Sequence, residues 1–176
     1  ADGSAYFTAP SDTFVYFQLL DENGMMVQSM RSGVIVQPGE QLGCVGCHDH
    51  RLTAPPSFSE KVPLALRRNP DALEGWYGKP RLFSFLAETQ PVFTKHCAGC
   101  HDYNEDAGAK LVLAPDKEET FNAAYNELWR KKYIGAIGAG PAETQPAYSW
   151  GSHKSKIVDK IRKHHHDVNL NEEEFE

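Results

Sequence analysis

The sequence has no excess of positive charge. Lysine and arginine number 18 against 24 aspartates and glutamates, a net charge of −6. A surface of that balance is not built to neutralise phosphates, which argues against nucleic acid as a partner and against an anionic membrane surface. Long apolar runs are missing too. Nothing approaches the roughly 18 uninterrupted apolar residues of a membrane helix, so no membrane span is expected. No basic-then-apolar leader stands at Ala1, so the chain is expected to be a mature form or a fragment. Cysteine is scarce, with four in 176 residues, at 44, 47, 97 and 100. What remains is 40% apolar, with Phe 9, Tyr 7 and Trp 3 for bulk, enough for one ordinary domain or two small ones.

All four cysteines fall in two copies of one pattern, Cys44-Val45-Gly46-Cys47-His48 and Cys97-Ala98-Gly99-Cys100-His101. Cys-x-x-Cys-His is the attachment site of c-type haem. Two thiols three positions apart can form thioethers with the two vinyl groups of one porphyrin. The histidine that follows is then carried under the ring, where its imidazole can ligate iron. Zinc ribbons also pair Cys-x-x-Cys units, but at separations of roughly 15–20 residues, whereas Cys47 and Cys97 stand 50 positions apart. A redox dithiol needs no histidine after each pair. Two haem C groups are therefore expected, on Cys44, Cys47, Cys97 and Cys100, with His48 and His101 as proximal ligands. No thiol is left for a disulfide. Because c-type haem is attached outside the cytoplasmic membrane, a periplasmic, extracellular or cell-surface location is expected.

The expected fold class is α+β: a small antiparallel β-hairpin unit, then a mainly helical domain with the plan of a cytochrome c. Residues 1–81 form the first part. Phe14 to Leu20 is rich in β-branched and aromatic residues, Asp21-Glu22-Asn23-Gly24 is a hairpin turn with Asn-Gly able to take positive φ, and Met25 to Arg31 is the return strand. Val34-Ile35-Val36 adds a short strand, and the first motif follows. Pro55, Pro56, Pro63, Pro70 and Pro80 make 51–81 a connector, with a short helical turn over Leu64 to Arg68. In residues 82–176, a helix with Pro91 in its first turn leads into Cys97. Phe121, Tyr125, Leu128 and Trp129 repeat at i, i+4, i+7 and i+8 as a second helix, capped by Thr120 and ended by the glycine-rich loop 135–140. Ile157, Val158 and Ile161 mark a third, capped by Ser152. Asn171 to Glu176 is the first turn of a fourth.

Eight histidines minus the two proximal ones leave six. Ile157, Ile161 and His165 share a helix face by i, i+4 spacing, so the sixth ligand of the second haem is expected from His165 or His166. His96, just before Cys97, is a candidate ligand for the first haem, as are His50 and His153. Met25, Met26 and Met30 could each offer a thioether.

The first half resembles the segment before the first haem in proteins related to the hydrazine synthase alpha subunit, which are exported, multidomain dihaem proteins. The resemblance is carried by Asp2-Gly3-Ser4-Ala5-Tyr6-Phe7, by Gln18 to Gly24, by Val27 to Ser32, and by Gln37-Pro38-Gly39-Glu40 running into the first motif. Pro91-Val92-Phe93 before the second motif and His165-His166-Asp167-Val168-Asn169-Leu170 extend it. The resemblance implies a bis-histidine second haem, with its distal ligand in the His-His-Asp-Val stretch, and an unusual first haem. Asp49, His50 and Arg51 follow His48, where the synthase has a tyrosine that serves the haem. Two functions stay open. One is an electron carrier passing electrons between its haems and a redox partner, for which an acidic surface suits a basic partner. Self-association into a head-to-tail haem chain through His50 or His96 is a variant. The other is a haem enzyme whose first iron is open to a small nitrogen or oxygen species.

Overall fold

The computed structural model describes residues 2–44, 62–138 and 145–175. The architecture is α+β. A two-stranded antiparallel sheet pairs β1 (Gln18–Leu20) with β2 (Met26–Ser29). The described residues also hold four α-helices: α1 (Gln90–His96), α2 (Ala123–Arg130), α3 (Lys156–Arg162) and α4 (Glu172–Phe175).

The hairpin is shorter than the apolar run predicts, and the cause lies in its turn and its register. Asp21 N–H bonds the Met25 carbonyl at 2.8 Å and Gly24 N–H bonds the Asp21 carbonyl at 3.1 Å. Only Gly24 takes positive φ there, at 70°. The turn is therefore a tight turn closed by a glycine bulge, not one with positive φ at both Asn23 and Gly24. The Asp21 side chain pins it by accepting the N–H groups of Asn23 and Met25. Pairing continues at Phe17 and Met30, then at Val15 and Val34. Between those two pairs the first strand advances two residues and the second four. The extra residues around Arg31-Ser32-Gly33 break the ladder and leave Val15–Val34 an isolated bridge.

The chain groups into two units. The first comprises Ala1–Leu19, Ser29–Arg81 and Ala139–Pro146, and the second Leu20–Gln28, Leu82–Gly138 and Ala147–Glu176. In the first, the predicted helical turn is a 3-10 turn, Leu64–Arg67. Its first N–H groups have no partners within the turn. The Asp2 carboxylate accepts the Leu64 N–H at 2.8 Å and the Ser4 hydroxyl accepts the Ala65 N–H at 3.0 Å. The Leu64 N–H, with the hydroxyl and N–H of Ser4, lowers the Asp2 pKa to about 2. Tyr6 and Thr8 bond Asp71 on both sides of a parallel bridge, and Asp71 is ion-paired to Arg68.

The second unit has the larger core. Phe93 of α1, Leu111 and Leu113 of the following extended segment, and Ala124 and Leu128 of α2 form one buried cluster, with Phe85, Cys97, Tyr133, Ile134 and Ile157 packed against it. Pro91 lies in the first turn of α1, preceded by a wider π turn over Phe85–Thr89. The cap of α2 is Asn122, not Thr120: its side chain accepts the Tyr125 N–H at 3.0 Å, and its amide donates to the Gln90 side-chain oxygen. Asn122 is buried and Thr120 is exposed, so only Asn122 reaches the helix end from inside. The helix stops at Arg130, ahead of the predicted glycine-rich loop. Its buried face is Ala123, Ala124, Glu127 and Leu128, while Phe121 and Trp129 remain outside. Ser155, not Ser152, precedes α3; its hydroxyl accepts the Gly135 N–H and donates to the Gly151 carbonyl. Ser152 Oγ instead accepts the Met26 N–H at 2.7 Å.

Candidate functional site

Cys47 and His48 of the first motif lie outside the described residues, as do Asp49, His50 and Arg51. Cys44 is described and exposed, with a free thiol.

The second motif is described throughout. α1 delivers it: Cys97 N–H and Ala98 N–H both reach the Phe93 carbonyl, at 2.9 and 2.8 Å. The motif then tightens into a turn in which Cys100 N–H and His101 N–H bond the Cys97 carbonyl, at 3.1 and 2.9 Å. Both thiols are free. Cys97 is half-buried against the core, and burial, with Cys100 alongside, pushes its thiol pKa up. Cys100 is exposed.

His101 is held at three points. Its N–H is bonded as above, its carbonyl accepts the Leu113 N–H at 2.8 Å, and its Nδ1 lies 2.8 Å from the Leu111 carbonyl. A carbonyl can only accept, so Nδ1 carries the proton and donates. The tautomer is thereby set, and Nε2 is left with a lone pair for a metal. The carbonyl sits in a buried run, Leu111 to Ala114, anchored on both sides. Gln90 donates to the Leu113 carbonyl at 3.1 Å, and Val112 N–H donates to Glu127 Oε2 at 3.3 Å. The Glu127 carboxylate, almost fully buried, is ion-paired to Arg130 and to Lys131.

His165 lies beside His101, with ring centroids 6.2 Å apart and planes at 45°. Two metal–nitrogen bonds of about 2 Å each, plus the two ring radii, span about 6 Å. The two imidazoles are thus separated as two ligands on opposite sides of one metal ion are. His165 is exposed, yet desolvation by its neighbours lowers its pKa, and His166, His101 and Lys160 push the same way. All of these favour the neutral imidazole, the form that coordinates a metal. His166 packs edge-on against His165 at 4.3 Å.

His165 does not reach this position by the predicted helix register. α3 ends at Arg162, and His164 turns the chain with φ 50°. His166 and Asp167 also take positive φ, 50° and 60°, a conformation that is costly for side chains with a Cβ. Three left-handed residues around His165 replace the continuous helix face.

The remaining candidates are engaged elsewhere. His96 Nε2 lies 3.1 Å from Glu174 Oε1, an oxygen also bonded by Lys95 at 2.6 Å. These contacts lower the Glu174 pKa to about 2. Asn171 and Glu174 close a reciprocal capping pair at the start of α4. His153 Nε2 lies 3.1 Å from Asp21 Oδ2 and its ring meets Tyr148 edge-on at 5.0 Å. Met25 and Met26 are buried, and Met30 Sδ accepts the Phe17 N–H. The Leu111 carbonyl carried no signal in the sequence, because every residue has one. Glu174 did carry one, the Asn171-x-x-Glu174 capping spacing.

Comparison with known proteins adds kinship. Residues 1–49 match the family described as the hydrazine synthase alpha subunit middle domain. The chain is 25% identical over 180 residues to the hydrazine synthase subunit alpha of Kuenenia stuttgartiensis, an alignment covering 73% of this chain and 22% of that protein. The chain is therefore related to the hydrazine synthase alpha subunit and corresponds to about a fifth of that relative's length. No solved structure matches it.

Proposed function

We propose that the chain is a dihaem c-type cytochrome unit of an exported protein, passing electrons between two covalently held haems and a redox partner or neighbouring subunit. The observation that carries this reading is the imidazole pair, with His101 oriented by the Leu111 carbonyl and the His165 ring 6.2 Å from it. Two imidazoles alone are too few ligands for an iron centre, and a porphyrin held by the neighbouring thiols would supply the rest. Cys97 and Cys100 would hold that macrocycle by thioethers, His101 would be the proximal ligand and His165 the distal one. Cys44, Cys47 and His48 would hold the other by the same motif. Bound at these sites, haem iron supplies a one-electron couple. The protein's part would be to hold both imidazoles in place, His101 by its bond to the Leu111 carbonyl, so that gaining or losing an electron needs little rearrangement. The relative's name marks it as a subunit, which agrees with a module that hands electrons to a neighbour. With both histidines as ligands the second site would leave no place for a substrate, so this reading favours a carrier over an enzyme there.

The test is mass spectrometry of the exported chain, low-temperature EPR of the oxidised form and carbon monoxide titration of the reduced form. The expected result is two covalent haem additions, two low-spin signals and no carbon monoxide shift. An unmodified mass would overturn the haem reading. One high-spin signal, with half the haem binding carbon monoxide, would replace the carrier by an enzyme with an open iron.

A further inference from the structure

Helix α2 and the residue before its cap carry a row of rings whose two ends the fold leaves outside. Tyr125 and Trp129 stand four positions apart on the helix, and Phe121, just before the extended Asn122 cap, continues their row. Their centroids are 4.5 Å apart from Phe121 to Tyr125 and 6.2 Å from Tyr125 to Trp129. Phe121 is 50% exposed and Trp129 48%. The opposite face of the helix fills the core, and Tyr125 meets Phe85 edge-on at 5.2 Å, which leaves the two ends of the row, Phe121 and Trp129, exposed.

The charges beside the ridge are arranged about Tyr125. Glu118 and Glu119 lie seven and six positions before it, Lys132 and Lys131 seven and six positions after it, and Phe121 and Trp129 four positions to either side. Glu118, Glu119, Thr120, Phe121 and Asn126 line a shallow concavity at the acidic end. At the other end Arg130 and Lys131 share the single charge of Glu127, and Lys132 is exposed, so the basic excess is uncompensated there.

We propose that this ridge is a self-association surface, on which two copies of the chain pair their α2 helices antiparallel about a two-fold axis at Tyr125. Under that operation Phe121 of each copy meets Trp129 of the other, and the two Tyr125 rings meet at the axis. The acidic concavity of each receives Lys132 of the other. A parallel pairing would put Glu118 and Glu119 against their own copies, so charge selects the antiparallel arrangement. Helix dipoles also oppose one another favourably in that arrangement. The surface is smaller than the roughly 1,200–2,000 Å² of a standard stable interface, so association is concentration-dependent. The dimer is closed, unlike a head-to-tail chain, and it does not depend on haem ligation.

The test is sedimentation equilibrium of the haem-loaded chain over a range of concentrations, at low and high salt. The wild type is expected to double its mass at high concentration and to revert towards monomer as salt rises. Trp129→Glu, Glu119→Lys and Lys132→Glu are each expected to remain monomeric with an unchanged far-ultraviolet spectrum. A mixture of the Glu119→Lys and Lys132→Glu proteins is expected to regain the dimer, because every cross-pair is then attractive. A wild type that is monomeric throughout overturns the proposal. So does a dimer that survives Trp129→Glu, or a mixture that fails to pair although both variants keep the wild-type spectrum. None of these readouts involves the redox state, so failure here is separable from failure of the cytochrome reading.

Discussion

Replacing Asn122 with alanine separates two accounts of how α2 begins. The Asn122 side chain accepts the Tyr125 N–H at 3.0 Å, and its amide donates to Gln90 Oε1. Loss of a cap of this type costs about 1 kcal/mol. Loss of the donor leaves Gln90 Oε1 buried and without that partner, at about 1–3 kcal/mol. Gln90 cannot simply turn its amide over, because Nε2 is engaged with the Leu113 carbonyl and with Thr94. Asn122→Ala should therefore destabilise the chain by about 2–4 kcal/mol. Asn122→Ser keeps a capping oxygen and should lose only the second part. Thr120→Ala removes an exposed side chain and should stay within about 0.5 kcal/mol. Urea unfolding followed by circular dichroism, with midpoints compared at a common m-value, gives all three numbers. If Thr120→Ala cost as much as Asn122→Ala, the capping assignment would be wrong.

Three further outcomes follow from the same structure. His165→Ala should convert one low-spin iron to a high-spin, carbon monoxide-binding form, while His166→Ala should leave the EPR spectrum low-spin; the reverse pattern moves the distal ligand to His166. The Glu174 carboxyl, held down to about 2 by Lys95, His96 and the Asn171 N–H, has a folded-state pKa below its ordinary 4.5. Its contribution to docking α4 is thus complete above about pH 4.5 and lost as pH falls towards 2; carboxyl carbon shifts in an NMR titration should show this, and an ordinary midpoint refutes it. Gly151→Ala should destabilise the chain by about 1–3 kcal/mol in thermal melts, because Gly151 holds φ at +73° and an added Cβ would run into the Met26 side chain.

The hairpin, the helix into the second motif and the helix over Ala123–Arg130 were legible because each rests on local chemistry: a turn residue, a proline at a helix start, a periodic stripe. Their details were not. The stripe on α2 misled because aromatic periodicity marks a face without saying which face is buried. Here Ala123, Ala124 and Leu128 pack inward, and small residues leave a weaker trace in sequence than rings. Asn122 outcompeted Thr120 because a buried cap has a second partner, Gln90, 32 positions away in the chain. At the site, the residue types of the second motif were plain from spacing. The position of His165 was not, since it depends on left-handed residues on either side of it, His164, His166 and Asp167, that no helix periodicity can express. His96 was visible as a candidate ligand, but its engagement with Glu174 depends on where the chain's last helical turn comes to rest.

The hairpin tip has a consequence for how this protein could be cut or recombined. Residues Leu20–Gln28 group with the helical unit although the segments on either side of them do not. A crossover between genes at position 81 would therefore exchange more than the N-terminal unit. It would carry off Asp21, which holds His153, and Met26, whose N–H is met by Ser152, and replace them with a foreign loop. Sequence drift at the tip is accordingly constrained by residues more than a hundred positions downstream. A helical half inherited alone would need a substitute for nine residues it does not encode.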